Sequence, residues 1–197
     1  MGITAVTIPA KVTSIGTMAF NNCRNLTMVT FDSGSQLSII GGSSFSGCKS
    51  LSNIILPDTA TTIGDYAFGN CSVLKTLALP ETLTTIGINA FYFTGLTAIT
   101  IPSQVTSIPI SAFYGCLGLT TIDLPAGLQT IGNTAFAFTD SQTPITRTFT
   151  FNGDAPALGT AAIPVSDGTA TVTIKYINGS NGFGISPWTD CNLRPIS

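Results

Sequence analysis

Hydrophobic residues recur along the chain at a nearly constant interval, separated by stretches rich in threonine, serine and glycine. A phenylalanine that usually follows an alanine marks each copy, and its position numbers differ successively by 25, 23, 23, 22 and 23: Phe20, Phe45, Phe68, Phe91, Phe113 and Phe136. The position numbers in a series of leucines differ by 25, 23, 22 and 23: Leu26, Leu51, Leu74, Leu96 and Leu119. A period of this length predicts a solenoid, because each unit can bury its apolar side only against its neighbours.

Within each copy, alternating apolar and polar residues are followed by a compact turn. Residues 96–101 alternate with period two, which indicates a half-buried strand, and a second, shorter extended piece is predicted at residues 12–15 and 83–86. Prolines end the longer strands, where a missing N–H costs least: Pro9, Pro57, Pro80, Pro102 and Pro125. The Ala-Phe-x-x-Cys segment is too short for an average α-helix and predicts a tight or 3-10 turn. We therefore expect a mainly β solenoid of six to seven turns, each of about 22–25 residues, with parallel strands and little α-helix.

Two regions depart from the pattern. Residues 31–37 contain two extra residues and no proline, so we expect a protruding loop in the second copy. Beyond residue 145, residues 147–151 and 170–177 alternate like strands, and residues 178–184 form a loop that precedes Trp188. We interpret residues 1–145 as a solenoid of six repeats, and 146–197 as its last strand and C-terminal cap in the same structural domain.

Composition restricts the possible partners. Charged residues make up only 8% of the chain and the net charge is -2, with the basic residues scattered, so we expect no nucleic-acid partner. No apolar run approaches the roughly 18 residues of a membrane-spanning helix, and we expect no membrane insertion in this sequence. The chain begins within a repeat strand and shows no signal peptide, which suggests that it was cut from a longer protein. We also expect a monomer without cofactors.

The repeat unit itself resembles a known family. Residues 61–74 read TTIGDYAFGNCSVL and are followed by Leu77, Leu79 and Pro80, a unit similar to the BspA-like leucine-rich repeats of bacterial surfaces, notably of Bacteroides-type organisms, and of some protozoan parasites. The resemblance covers about residues 3–145. It implies a right-handed leucine-rich-repeat solenoid in a secreted or surface-anchored protein that binds host proteins, other cells or extracellular matrix. It implies no catalytic residues.

Four cysteines share one repeat position: Cys23, Cys48, Cys71 and Cys116. In two other copies, Thr94 and Thr139 stand at or near this position. The chain has no histidine and no CxxC spacing, so a zinc site would need thiolates alone. We predict buried free thiols, with a disulfide between the neighbouring Cys48 and Cys71 as the alternative. Cys191 lies outside this register and is interpreted as a cap residue.

A glycine follows the isoleucine in most copies: Gly16, Gly41, Gly64, Gly87 and Gly132. In the remaining copy, Pro109 holds the same position. Proline cannot adopt positive φ. We therefore predict that this position requires a compact residue and does not require a left-handed backbone. The nine acidic residues sit at different repeat offsets, and without histidine no Ser-His-Asp or Cys-His device can form. We therefore expect that the protein is not an enzyme.

Binding is the remaining class of function, and two surfaces are candidates. Strand alternation predicts one flat, nearly uncharged face, whose candidate binding residues are Met28, Thr30, Asn53, Ile55, Thr76, Ala98, Thr100, Thr121 and Asp123. Aromatic residues cluster instead around the Ala-Phe turns, where they either form a second binding edge or pack between adjacent turns: Tyr66, Tyr92, Phe93, Tyr114 and Phe138.

The leading hypothesis is a non-enzymatic extracellular binding or adhesion module that recognises a host or matrix protein or another cell. One alternative is a structural spacer within a larger surface protein. Another is binding of a glycan or an ordered surface by columns of hydroxyl residues: Thr13, Thr61, Thr84 and Thr106, with Ser14, Thr62, Thr85, Ser107 and Thr130.

Overall fold

A computed structural model describes residues 2–138, 145–163, 171–177, 179–184 and 192–196. The side chains of residues 192–196 are not described. The interpretations of Thr139, Asn178, Trp188 and Cys191 lie outside the described residues.

Each of the six copies contributes one segment to each of two rows, and every pairing in the described residues is parallel, as the stacked repeat predicts. We call these the front row and the back row. The front row consists of β1 (Ala5–Ile8), β3 (Met28–Phe31), residues 53–56, residues 76–79, β7 (Ala98–Thr100), β9 (Thr121–Leu124), β11 (Thr146–Phe151), β13 (Thr171–Ile177) and β14 (Asn192–Ile196). The back row consists of β2 (Ser14–Ile15), β4 (Ile39–Ile40), β5 (Thr62–Ile63), β6 (Thr85–Ile86), β8 (Ser107–Ile108), β10 (Thr130–Ile131) and β12 (Ala157–Leu158).

The core is a ladder of stacked phenylalanine rings at the Ala-Phe turns. Phe45, Phe68, Phe91 and Phe113 are fully buried, and the rings of adjacent copies stack with centroids 5.0–5.8 Å apart. An offset stack of this kind adds dispersion energy to the burial of apolar surface. The turns themselves contain no helix within the described residues, which confirms the prediction of tight turns. The all-β solenoid predicted from the repeat is confirmed.

The glycine column is compact, as predicted. A Cβ on Gly64 would lie 2.7 Å from the backbone nitrogen of Gly42 and one on Gly87 would lie 2.4 Å from the carbonyl carbon of Gly64, while neither glycine has positive φ. The left-handed backbone occurs two residues later, at positions where no feature of the repeat pattern predicts it: Met18, Ser43, Tyr66, Asn89, Ser111 and Thr134.

The front row is interrupted at two places. β1 pairs only with β3, residues 53 and 76 are joined by a single bridge, and β7, β9, β11, β13 and β14 form one continuous sheet. Both interruptions fall where the position numbers of equivalent residues do not differ by 23, since Met28 and Asn53 are separated by 25 and Thr76 and Ala98 by 22. The back row stays paired across the first interruption, through β4 and β5, and is broken only at the second, between β6 and β8.

The extra residues of the second copy form an exposed turn after β3. Gly34 has a φ of +74°, and the Ser35 N–H donates to the Asp32 carbonyl at 3.1 Å. The Gln36 N–H donates to the Ala10 carbonyl at 2.9 Å, which ties the loop to the first copy. The predicted loop is therefore confirmed, and β11 and β13 confirm the two strands predicted beyond residue 145.

Candidate functional site

The front row presents the predicted face. Its outward side chains are exposed at Thr30, Asn53 and Thr100 and partly buried at Asp123, while the residues between them are buried. Met28 is 53% exposed and Ile55 is 75% exposed, which makes Ile55 the most exposed large apolar side chain of the described residues. The remaining candidates are exposed as well: Thr76, Ala98 and Thr121.

The first interruption of the front row opens a groove of about 880 Å³ on this face. We call it the β3 groove; its walls are residues 27–32, 34 and 35 on one side and residues 53–59 on the other. The exposed side chains of Met28 and Ile55 belong to opposite walls. The structure thus groups four of the candidate residues, Met28, Thr30, Asn53 and Ile55, around one concavity and leaves the others outside it.

The β3 groove separates two strand edges that do not pair. No backbone hydrogen bond joins β3 to residues 53–56 anywhere in the described chain. Past the ends of these segments the two copies are tied together again, because the Thr59 hydroxyl donates to the carbonyl oxygens of Ser35, at 3.2 Å, and Leu37, at 2.7 Å. The opening is therefore limited to the strand face.

The charges of the groove have one sign. Asp32 and Asp58 line it, both are exposed, and no basic residue is among the lining residues. No hydrogen bond or ion pair within the described part of the chain engages either carboxylate. Together they create a negative potential at the end of the groove where β3 and residues 53–56 finish.

The second interruption forms a smaller groove of about 350 Å³ between residues 75–79 and 97–100. It contains both Lys75 and Glu81, so its charges are balanced. The Thr97 N–H also donates to the Lys75 carbonyl at 3.2 Å, which holds the two copies together at the start of the strands. This groove is smaller, and its two walls are linked at one end.

The turn-edge aromatic residues pack against one another across adjacent copies. Tyr92 stacks on Tyr114 with centroids 5.3 Å apart and meets Phe93 edge to face at 4.6 Å, and Tyr66 joins this cluster at 6.0 Å. Tyr66 remains 41% exposed and the other three are partly buried. Phe138 lies apart from the cluster, 3.4 Å below the guanidinium of the buried Arg147. These side chains therefore pack between turns and keep part of their surface exposed, and a role in binding stays a prediction.

The cysteine column is buried and reduced. Cys48, Cys71 and Cys116 are free thiols, so the alternative of a Cys48–Cys71 disulfide is not realised. The Cys71 thiol donates to the Phe45 carbonyl of the preceding copy at 3.1 Å. Thr94 occupies the equivalent position in its own copy, and its hydroxyl lies 3.1 Å from the sulfur of Cys116. Burial raises the pKa of the Cys71 thiol to about 12 and those of Cys48 and Cys116 to about 11.

Cys23 departs from the prediction of buried thiols because it is only partly buried. It stands in the first copy of the described repeats. The other three thiols are protonated at neutral pH and inaccessible to reagents, which assigns them to packing and not to chemistry.

The hydroxyl columns divide into two groups. Thr61 and Thr84 donate to the carbonyl oxygens of the preceding copy, at Ser38 and Thr61 respectively, each at 3.2 Å. Thr85 and Ser107 belong to the neighbouring column and are exposed, whereas Thr62 in the same column is partly buried. The first column therefore supports the stacking of the turns.

Sequence reasoning missed several residues of the front face. The outward positions continue beyond the predicted repeats in strands β11 and β13, where Thr121 pairs with Thr148 and Asp123 pairs with Thr150. The alternation of residues 147–151 contained the signal, and it could have extended the list of candidates. The Asp65 carboxylate accepts the Ile88 N–H of the next copy at 2.7 Å and so has a structural role.

Within the described residues, no group of three potential metal ligands is close enough to hold an ion. No helix there has the length and apolar character needed to cross a membrane.

Comparison with known proteins identifies the repeat. Residues 1–117 and 38–153 match the model of the BspA type leucine rich repeat region, in six copies. No curated protein matches the chain.

Similar solved structures include three leucine-rich repeat proteins. A leucine-rich repeat protein from Bacteroides ovatus shares 22% identity with a TM-score of 0.60, over 98% of this chain and 69% of that one. A leucine rich cell surface protein from Faecalibacterium prausnitzii shares 26% identity with a TM-score of 0.54, over 87% of this chain and 60% of that one. A T. pallidum leucine rich repeat protein shares 22% identity with a TM-score of 0.51, over 70% of this chain and 78% of that one.

Proposed function

The chain belongs to the BspA-type leucine-rich repeat family, and we propose that it is a non-enzymatic binding module of a cell surface, which recognises a protein ligand through the front face. The observation that carries this proposal is the β3 groove. There, two exposed apolar side chains, Met28 and Ile55, border a concavity of about 880 Å³, within the roughly 300–1,000 Å³ of typical ligand pockets.

Two further observations support the proposal. Ile55, which is 75% accessible, shares the groove with the exposed Met28, and exposed apolar surface that is grouped in this way marks interaction sites. A surface location is supported by the similar protein from Faecalibacterium prausnitzii, which is itself described as a cell surface protein. The aromatic cluster around Tyr92 is the second candidate contact, but its rings already bury part of their surface against one another.

The test is binding of the purified chain to a panel of immobilised extracellular-matrix proteins and to intact cells. We expect Ile55→Arg to reduce binding at least tenfold, because a charge placed in the groove would be desolvated by the ligand. The matched control is Ile110→Arg, since Ile110 is also an exposed isoleucine, at 46%, but lies outside both grooves.

Unchanged binding of Ile55→Arg would move the site off the front face. Absence of binding across the whole panel, with the chain folded, would favour the alternative of a spacer between other parts of a surface protein.

A further inference from the structure

The β3 groove contains two strand edges that face each other without pairing. β3 is hydrogen-bonded on its other side to β1 through four residue pairs, and residue 53 is bridged on its other side to Thr76. Each edge is therefore held in place by a neighbour and still lacks a partner across the groove. Unpaired edges of this kind are templates for an added strand.

The chemistry of the groove selects an occupant. Buried Val29 and Ile54 form part of its lining, so an incoming strand meets apolar surface on its inward side. The outward residues of the front row are mostly threonine, which an alternating strand would continue. Asp32 and Asp58 add two exposed carboxylates, and no lining residue compensates their charge, so a basic side chain at that end is favoured.

We propose that the β3 groove binds a short extended peptide segment that carries a basic residue and completes the front row as an added strand between β3 and residues 53–56. The inference rests on the proposed function in placing its ligand on the same face, and it specifies the class of that ligand. Recognition comes from backbone hydrogen bonds to both edges, from alternate apolar side chains directed at Val29 and Ile54, and from charge pairing with Asp32 and Asp58.

The origin of the groove also suggests how to remove it. The second copy has two more residues than the third between its front-row and back-row segments. Front-row residues whose position numbers differ by 23 pair with each other, as in β1 with β3 and β7 with β9. Deleting Ser33 and Gly34 from the exposed loop restores that offset. We expect the deletion to let β3 pair directly with residues 53–56 and so to close the groove.

The probe is a labelled synthetic peptide of sequence Arg-Thr-Val-Thr-Val-Thr-Arg, blocked at both ends, with binding followed by fluorescence anisotropy. N-methylation of alternate backbone nitrogens should weaken binding about tenfold or more, because each lost backbone hydrogen bond costs roughly 2- to 12-fold in affinity. Replacing both arginines by glutamate should weaken it further. Amide exchange should slow in both β3 and residues 53–56 when the peptide is bound.

Variants of the protein test the same contacts. The double variant Asp32→Asn/Asp58→Asn should weaken binding of the arginine peptide about threefold to fivefold at low salt, as expected for exposed charge pairs. Glu81→Gln removes one exposed acidic charge outside the β3 groove and should leave the affinity unchanged. The deletion of Ser33 and Gly34 should abolish binding.

Several outcomes would overturn the inference. They are equal binding of the N-methylated and unmodified peptides, no binding of the arginine peptide to the folded wild type, or exchange protection elsewhere than at the two edges. A concentration-dependent dimer that the peptide does not displace would assign the groove to a second copy instead. If the protein still binds a member of the matrix panel, loses that binding in Ile55→Arg and does not bind the peptide, the proposed function stands and this inference alone is wrong.

Discussion

The front row differs between its two halves. From β7 to β14 the strands form one parallel sheet in continuous register, whereas the first four copies supply a two-stranded sheet, a gap and two segments joined by a single bridge. The phenylalanine ladder runs through both halves, with ring centroids 5.5 Å apart beside the groove and 5.0 Å apart beneath the continuous sheet. Core packing and strand pairing are therefore separable in this repeat, because the buried rings hold adjacent turns together even where the front strands do not pair.

The variation in repeat length explains where pairing fails. Among the regular copies, front-row segments pair where their position numbers differ by 23, and they do not pair where the difference is 22 or 25. The longer steps from β9 to β11 and from β11 to β13 still pair, so the rule applies to the regular copies only. Where the two extra residues of the second copy enter, the back row remains paired, and the displacement is confined to the surface that a ligand can reach.

The first prediction, with the largest expected effect, tests whether the phenylalanine core is packed equally tightly in the two halves. Phe45→Ala, beside the groove, and Phe113→Ala, beneath the continuous sheet, should each lower the free energy of unfolding by about 3–5 kcal/mol, because each leaves a cavity between two stacked rings. Urea unfolding followed by circular dichroism measures both. If Phe45→Ala costs less than about 1 kcal/mol, the opening extends into the core and the comparison fails.

A smaller effect tests whether the opening is confined to the front. Gly64 lies in the third copy, and a Cβ there would meet the Gly42 nitrogen of the second copy at 2.7 Å. Gly64→Ala should therefore cost about 1–3 kcal/mol, as expected for overpacking. Gly16→Ala is the matched control, since a Cβ on Gly16 would meet nothing within 4 Å and its φ is not positive; it should be neutral or slightly stabilising. Thermal unfolding distinguishes them, and equal melting temperatures would show that the back row is loose as well.

The smallest effect concerns pH and should be alike in both halves. The folded-state pKa values of Cys71 and Cys116, about 12 and 11, are raised above the ordinary value of 9.0, so the unfolded chain ionises first. The stability from keeping these thiols neutral is complete below pH 9 and is lost as the pH rises towards 11–12. We expect the urea midpoint of wild type to fall more between pH 8 and pH 10 than that of Cys71→Ala/Cys116→Thr. Identical slopes for the two proteins would contradict this assignment.

Sequence alone predicted most of the scaffold, because the repeat places the same side chain in the same environment several times. Phe68, Cys71 and Gly64 could be assigned to the core, the buried column and the compact turn by comparison between copies, and the structure confirms each assignment. The outward positions Thr30, Asn53 and Ile55 followed from alternation in the same way. Their role in binding stays a prediction.

The sequence determined the repeat, the strand positions and the buried columns, because these depend on local periodicity that every copy restates. Tertiary structure alone decided which strands pair, that Asp65 binds the Ile88 N–H, and that Tyr66 has a left-handed backbone. Strand pairing and the Asp65 contact depend on how one turn lies relative to the next, across a full repeat of the chain. The β3 groove arises from that displacement, since the two extra residues of the second copy shift a strand edge while its buried positions are kept.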